Sequence, residues 1–201
     1  MRFKEFLEES KQVGILYHYT NLSNLITILK QNILKTSSGM DDLRPFAVSF
    51  TRNKNFHKKG QFLKSGWNQC RIVVDGDKLS NKYKVKPRSE IVDGDFLKRS
   101  KYYQEQEEFV KTDIKNLLSY TKRIDIFSNK FIDTVYLGNS KYNVVSFIEM
   151  SILKPLNVDW DLFFKKYPLK AHTTKHPIKS DIIYSVANLI EDKFNIKVKV
   201  L

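Results

Sequence analysis

The stretch GILYHYT, residues 14–20, is the part of the sequence from which the fold is inferred. Apolar and aromatic residues follow a glycine and predict a short strand that carries a histidine. Thr20 or Asn21 can cap a helix directly after it. The apolar positions of that helix recur at helical spacing: Leu22, Leu25, Ile26, Leu29, Ile33 and Leu34. A strand that leads at once into an amphipathic helix indicates a fold of mixed α and β structure.

Further along the chain, short apolar segments alternate with amphipathic ones. Strands are predicted within residues 46–51, 71–75, 83–87, 124–126, 133–137 and 196–200. Helices are predicted within residues 144–153, 157–167 and 180–194. The sequence has no internal repeat and no linker rich in Pro, Gly or Ser. It therefore predicts one α+β domain over residues 1–201.

Composition excludes several classes of protein. The chain has 201 residues, 41% of them hydrophobic, and a mean hydropathy of −0.42. No apolar run approaches the roughly 20 residues that span a bilayer, so we expect no membrane partner. Acidic residues occupy the place of a signal peptide's apolar core, and a single cysteine, Cys70, agrees with a reducing compartment. We therefore expect a cytoplasmic protein in which Cys70 is a small buried residue.

The net charge of +13 is concentrated in one part of the chain. Residues 51–100 hold 13 basic and 5 acidic residues, a net charge of +8, and aromatic residues are interleaved with the basic ones. Cations mixed with planar rings suit a phosphate backbone with stackable bases. Residues 52–99 are therefore a candidate nucleic-acid interface. The alternative is a solvated, lysine-rich surface.

Three short motifs could carry chemistry. A histidine between a strand and a helix, as His18 is, is by itself more typical of a structural hydrogen bond. In residues 48–52, Ser49 and Thr51 share one strand face while Val48, Phe50 and Arg52 share the other, so the polar pair could line a pocket or face water. Residues 104–110, QEQEEFV, hold three carboxylates, a pattern that by itself is typical of a solvated face.

The order and spacing of these motifs resemble the ADP-ribosyltransferase fold, and most closely the DNA-targeting toxins called DarT and related bacterial and phage proteins. The Tyr-His-x-Thr motif of that family matches Tyr17 to Thr20, and an arginine after a short central strand matches Arg52. A Gln-x-Glu followed by apolar residues matches Gln106 to Val110. The resemblance lies within residues 14–126 and leaves residues 127–201 unassigned. It implies a single domain with a split central β-sheet and flanking helices.

The resemblance also implies a chemistry, mono-ADP-ribosylation with NAD as the substrate that is cleaved. His18 would bind the adenosine ribose, and Tyr19 and Thr20, with the positive start of the next helix, would complete that end of the cofactor site. Ser49 and Thr51 would flank the nicotinamide ribose. Glu108 would stabilise the developing oxocarbenium ion, with Arg52 beside it and the acceptor. The resemblance thus implies Glu108 and Arg52 as catalytic residues and His18, Tyr19, Thr20, Ser49 and Thr51 as NAD-binding residues.

Two features leave alternatives open. The acidic cluster contains both Glu105-x-Glu107 and Gln106-x-Glu108; we prefer the second because Phe109 and Val110 follow as strand interior, whereas the first resembles transferases that modify arginine. The loop at 53–67 is unusually rich in lysine for the family. Nucleic acid, with DNA favoured, is the expected acceptor, and RNA or a protein partner remains an alternative. The sequence does not separate a toxin from an antiviral effector or a viral counter-defence, and it leaves the oligomeric state open.

Other chemistries are weaker interpretations. His172 and His176 have metal-ligand spacing, but Thr173, Thr174 and Pro177 favour a loop, and no third ligand lies nearby. The carboxylates Glu90, Asp93 and Asp95 could be imagined as a nuclease metal site, although solvation explains a polar loop equally well. We therefore expect no metal. The rival from another class is a basic module that binds nucleic acid without chemistry.

Overall fold

The computed structural model describes residues 13–37, 46–56, 69–87, 107–128, 134–137, 140–167 and 177–201. These residues form a mixed α+β fold around one large sheet, as the sequence predicts. The strands are β1 (Ile15–Thr20), β2 (Ile33–Leu34), β3 (Val48–Thr51), β4 (Cys70–Asp75), β5 (Lys86–Pro87), β6 (Glu107–Val110), β7 (Ile114–Lys115), β8 (Thr121–Ile126), β9 (Thr134–Leu137), β10 (Ser140–Asn143) and β11 (Val198–Val200). The helices are α1 (Leu22–Gln31), α2 (Gly76–Ser80), α3 (Val144–Ile148), α4 (Trp160–Lys166) and α5 (Pro177–Phe194).

The main sheet has seven strands in the order β11-β8-β4-β1-β3-β6-β5. Neighbouring strands are antiparallel except β11 and β8, which are parallel. Because β11 follows α5 at the end of the chain, residues beyond 127 contribute an edge strand to the same sheet that holds the predicted motifs. Two further pairs, β10 with β9 and β2 with β7, lie outside the main sheet.

The sheet nearly divides between β1 and β3. Six residue pairs join β1 to β4, whereas a single registered pair, Tyr17 with Thr51, joins β1 to β3. The strands therefore form two halves, β11-β8-β4-β1 and β3-β6-β5, with a narrow junction. The described strands remain one connected sheet. The predicted split of the central sheet is therefore found only as a narrow junction between β1 and β3.

One face of the sheet packs against the helices. A hydrophobic cluster joins inward residues of β1, β3, β4, β6 and β8 to the apolar sides of α1, α3 and α5. Along β4, alternate side chains point to opposite faces of the sheet. Cys70, Ile72 and Val74 belong to this cluster, whereas the intervening Arg71 and Val73 do not. Helix α1 presents Leu22, Leu25, Ile26 and Leu29 to the core, as its spacing predicts. The prediction is wrong for Ile33 and Leu34: Asn32, with a left-handed φ of +52°, ends the helix, and these two residues form β2.

Most predicted elements are found, with shifted ends. The segment predicted as a helix at 144–153 is α3 followed by one π-helical turn, Glu149–Leu153, in which the Lys154 amide donates to the carbonyl of Glu149 at 2.9 Å. The strand predicted at 83–87 is paired only at Lys86 and Pro87. None of the helices within the described ranges is long and apolar enough to cross a bilayer.

Candidate active site

The arginine and the glutamate singled out by the sequence meet on neighbouring strands. Phe50 of β3 is the register partner of Glu108 on β6, and Arg52 follows two residues after Phe50 on the same side of the sheet. Arg52 donates from Nε to Oε1 of Glu108 at 2.7 Å. The Glu108 side chain is only 9% exposed, whereas that of Arg52 is 37% exposed. The result is a nearly buried carboxylate with one charged partner at the edge of the core.

His18 lies at the junction between the two halves of the sheet. Its Nδ1 is 2.9 Å from the carbonyl oxygen of Ser49, and its ring meets the ring of Phe50 edge-on at 6.0 Å. Burial lowers the pKa of His18, and the hydrogen bond to Ser49 offsets this only in part. A neutral imidazole has one N–H, and a carbonyl oxygen only accepts, so the proton is on Nδ1 and Nε2 is an acceptor.

The predicted site residues divide between the two faces of the sheet. His18 and Thr20 alternate with Tyr17 and Tyr19 along β1, and they share the helix-covered face with Phe50, Arg52 and Glu108. The structure therefore brings His18, Thr20, Arg52 and Glu108 to one face. Phe50 links them, because it contacts the ring of His18 and is paired with Glu108.

The other three predicted residues, Tyr19, Ser49 and Thr51, belong to the opposite face. Thr51 is the register partner of Tyr17, and its hydroxyl accepts from the amide of Asn53 at 3.0 Å. The hydroxyl of Tyr19 donates to the carbonyl of Lys54 at 2.9 Å. Ser49 meets His18 through its backbone carbonyl rather than through its hydroxyl. A single pocket on the helix-covered face would not be lined by these three side chains.

The start of α1 is partly occupied by the protein's own groups. Asn21, not Thr20, is the cap, and its side chain accepts from the Asn24 amide at 2.7 Å. The buried side chain of Gln69 accepts from the Leu22 amide at 3.0 Å. Of the amides of Leu22, Ser23 and Asn24, only that of Ser23 has no partner among the described residues. A phosphate here would bind through fewer backbone amides than an uncapped helix end offers.

A buried charged cluster on the opposite face was not predicted from the sequence. Arg71 of β4 is 1% exposed and donates from Nε to Oδ2 of Asp125 at 2.7 Å. Asp125 of β8 is fully buried and also accepts from Nε of Arg123, through Oδ1, at 2.7 Å. The Arg71 guanidinium lies 4.7 Å from the ring centroid of Tyr17 and 5.4 Å from that of Phe127. One available signal is that a charged residue lies between apolar residues in each of two strands, as Arg71 does between Cys70 and Ile72 and Asp125 does between Ile124 and Ile126.

Of the acidic cluster at 104–110, the structure describes β6 onward. Glu107 is the register partner of Thr51, and Glu108 that of Phe50. Glu108 is the cluster residue that the structure places in contact with Arg52, which favours the Gln106-x-Glu108 register. Glu105 lies outside the described residues.

Much of the basic stretch 52–99 also lies outside the described ranges, namely 57–68 and 88–99, and with it Phe62, Trp67 and Phe96. Two of the aromatic residues interleaved with the charge contact other rings of the protein: Phe56 meets Tyr19 at 5.5 Å, and Tyr83 meets Tyr120 at 5.9 Å. Tyr83 also accepts from the Lys115 amide at 3.0 Å. Both rings therefore contribute to the packing of the fold.

The candidate metal ligands of the sequence lie outside the described residues: Glu90, Asp93, Asp95, His172 and His176. Among the residues that the structure does describe, no group of three His, Cys, Asp or Glu side chains is placed to hold a metal ion. Cys70 is buried, its Sγ lies 3.3 Å from the carbonyl oxygen of Thr20, and burial raises the pKa of its thiol. These features fit the structural role expected for Cys70, because a raised pKa disfavours the reactive thiolate.

No protein-family model matches this chain, and no curated protein is significantly similar to it in sequence. The interpretation of the site therefore depends on its residues and their geometry.

Proposed function

We propose that this protein is an NAD-dependent mono-ADP-ribosyltransferase with a DarT-like site. The observation that carries the proposal is the contact of Arg52 with Glu108 at 2.7 Å, at a nearly buried carboxylate. Two short motifs more than fifty residues apart in sequence led us to expect these two side chains together, and the pairing of β3 with β6 juxtaposes them.

The proposed reaction exchanges one bond at C1′ of the nicotinamide ribose for another. The bond from C1′ to the nicotinamide nitrogen breaks, and its electron pair leaves with nicotinamide. A nucleophilic atom of the acceptor then bonds to C1′ and loses its proton. Positive charge grows on the ribose between these events, and a fixed carboxylate such as that of Glu108 stabilises it more in the transition state than in bound NAD.

Arg52 and His18 have separate parts in this proposal. Arg52 orients Glu108 through Nε and lies at the exposed side of the pair, where the acceptor would approach. His18 offers Nε2 as an acceptor for a ribose hydroxyl, because its Nδ1 proton is directed to Ser49. Thr20 lies on the same face, next to the start of α1. The narrow junction of the sheet beside His18 supports an ADP-ribosyltransferase-like architecture.

Tyr19, Ser49 and Thr51 are not included in the proposed NAD pocket, since they lie on the other face of the sheet. Ser49 contributes instead through the carbonyl that orients His18. The NAD site that we propose is therefore smaller than the sequence resemblance implies.

The proposed acceptor is nucleic acid, with DNA favoured, and the proposed place of action is the cytoplasm. The support for this acceptor is the net charge of +8 in residues 51–100, which begin at the last residue of β3 and include Arg52. Binding of nucleic-acid phosphates by these Lys and Arg side chains would weaken steeply with added salt. RNA and proteins are the acceptors to be compared with DNA.

The decisive experiment incubates the purified chain with NAD labelled in its adenylate part and with single-stranded DNA, duplex DNA, RNA and lysate protein in parallel. We expect label on DNA, nicotinamide release, and loss of both with Glu108→Gln. Binding of DNA with neither nicotinamide release nor transfer would support the non-catalytic binding module instead. Transfer to protein alone would refute the proposed acceptor but leave the enzyme class intact.

A further inference from the structure

The Tyr19-Arg71-Asp125 cluster is more than a buried ion pair, because it also binds the chain that follows Arg52. Tyr19, Arg71 and Asp125 are register neighbours on the adjacent strands β1, β4 and β8, on the face opposite Glu108. The segment 53–56 leaves β3 and reaches this face, where Phe56 contacts the ring of Tyr19 at 5.5 Å. Arg52 is thus the last residue before the chain turns toward the cluster.

Two donors of the cluster converge on one backbone oxygen. Nη1 of Arg71 donates to the carbonyl of Lys54, and the hydroxyl of Tyr19 donates to the same oxygen at 2.9 Å. Nη1 also donates to that hydroxyl at 3.0 Å, so the three groups form a closed triangle. An inward-facing carbonyl of an irregular segment needs such donors, because it has no strand partner. The triangle therefore determines where residue 54 lies.

The guanidinium itself has little freedom to move. Nε and Nη2 of Arg71 both lie 2.7 Å from Oδ2 of Asp125, and the planar group is enclosed by the rings of Tyr17, Tyr19 and Phe127. Arg123 holds the other oxygen of Asp125 at 2.7 Å, so the carboxylate is fixed from both sides. The buried pair of Arg71 and Asp125 is thus held rigidly, and Arg71 binds the backbone carbonyl of Lys54, two residues after Arg52.

We infer that Tyr19 and Arg71 are positioning residues for Arg52, and that they hold Arg52 in the geometry in which its Nε donates to Glu108. The catalytic consequence of this inference rests on the proposed transferase function, whereas its structural part does not. Arg52 is 37% exposed and has a flexible side chain, so its backbone must be held if its contact with Glu108 is to persist.

The test follows the Nε–H group of Arg52 by NMR, as a nitrogen-15 resonance with a measurable rate of hydrogen exchange. Assignment comes from Arg52→Lys, which removes the resonance, and Glu108→Ala removes its hydrogen-bond acceptor. In Tyr19→Phe, which loses only the hydroxyl, we expect exchange at Arg52 Nε to accelerate at least fivefold. Arg71→Lys, which loses the planar guanidinium group, should also accelerate exchange at Arg52 Nε.

The matched control is Arg123→Gln. It removes an ion pair from the same Asp125 carboxylate but has no hydrogen bond to Lys54, so exchange at Arg52 Nε should stay within twofold of wild type. Unchanged exchange in Tyr19→Phe, or equal acceleration in Arg123→Gln, would overturn the inference. The folded fraction of each variant is checked by its urea transition, so that exchange is compared between folded proteins.

The catalytic part is tested on the same variants. With active wild-type protein, Tyr19→Phe should lower kcat at least tenfold and leave KM for NAD within about twofold, since Tyr19 lies away from the proposed NAD pocket. Faster exchange with unchanged kcat would refute this part alone. A wild-type protein that neither cleaves nor transfers NAD would refute the proposed function, and the exchange measurements would still decide whether the cluster positions Arg52.

Discussion

The side chain of His18 joins the two halves of the sheet, because its Nδ1 donates to the backbone carbonyl of Ser49 at 2.9 Å. Between β1 and β3 the backbone itself provides one registered pair, Tyr17 with Thr51. The His18 side chain thus adds a hydrogen bond between β1 and β3, the two neighbouring strands of the main sheet with the fewest registered pairs. Protonation of His18 would keep this donor but would charge a buried ring and remove the Nε2 acceptor, so it should affect both the fold and the proposed NAD pocket.

Stability should fall as the pH falls below about 6.5. The pKa of His18 is lowered by burial in the folded protein, so the unfolded chain, with an ordinary pKa near 6.5, binds a proton at a higher pH than the folded protein does. The free energy of unfolding does not depend on His18 above pH 6.5. It decreases as the pH falls from 6.5 toward the pKa of His18 in the folded protein, because only the unfolded chain binds the proton in this range. The His18 contribution to this slope is at most about 1.4 kcal/mol per pH unit, the value for one proton. Urea unfolding from pH 5 to pH 8 measures it.

The control for this pH dependence is His18→Gln. The other three histidines are retained in this variant, so the difference between the two pH profiles isolates His18. We expect a shallower profile below pH 6.5 in the variant. Parallel profiles would show that His18 is not the titrating group.

Glu108→Gln should abolish transfer and nicotinamide release while the protein stays folded. The amide keeps the shape of the side chain but lacks the charge that stabilises the oxocarbenium ion, and we expect a loss of at least about a hundredfold. The partner Arg52 remains 37% exposed and is therefore hydrated when Glu108 is neutral. Initial rates of nicotinamide release, with circular dichroism as the check on folding, measure both effects.

Glu105→Ala is the matched variant in the same acidic cluster, and it should retain activity. Equal losses at Glu105 and Glu108 would show that the register of the catalytic glutamate is wrong. Arg52→Gln should also lose activity, and full activity in that variant would remove the likeness to the DarT site in particular.

Local patterns predict the framework of this fold but not its buried polar contacts. The apolar spacing of α1 and the alternation in β3 and β4 depend on neighbours within a few residues, and these elements appear near the expected residues, although α1 ends at Gln31, before the predicted Ile33 and Leu34. The pairing of Arg71 with Asp125 depends on which strands become neighbours, as does the capping of Leu22 by Gln69. Sequence spacing alone does not contain that information.

The division of the candidate site follows the same principle. Alternation along residues 48–52 already separates Ser49 and Thr51 from Arg52, and the structure shows the consequence for β1, where His18 and Tyr19 face opposite sides. A family motif lists residues along the chain without regard to the face of the sheet. This is why Tyr19, between the motif residues His18 and Thr20, is predicted for the NAD site although its hydroxyl contacts Lys54 and Arg71.

Asp125→Asn should destabilise the protein strongly. The fully buried carboxylate has Arg71 on one oxygen and Arg123 on the other, and its removal leaves the buried Arg71 guanidinium without a counter-charge. Breaking a buried pair in this way costs about 3–5 kcal/mol. Urea unfolding measures the loss. Asp192→Asn is the control, because Asp192 pairs with Lys166 on the surface, where solvent screens the pair and little change is expected.

Gly76→Ala should also destabilise the fold, for a steric reason at the start of β1. The Gly76 amide donates to the carbonyl of Gly14 at 2.8 Å, and a Cβ added at Gly76 would lie 2.5 Å from that same oxygen. The backbone must move, at a cost of about 1–3 kcal/mol in the free energy of unfolding. Gly14→Asn is the matched variant, since an added Cβ there has no neighbour within 4 Å, and its cost is limited to the strain of a side chain at φ +71°, which is smaller for asparagine than for most residues. In thermal and urea unfolding, wild type should be the most stable, Gly14→Asn close to it, and Gly76→Ala clearly less stable. A Gly76→Ala protein as stable as wild type would show that the backbone at Gly14 can move without loss of stability.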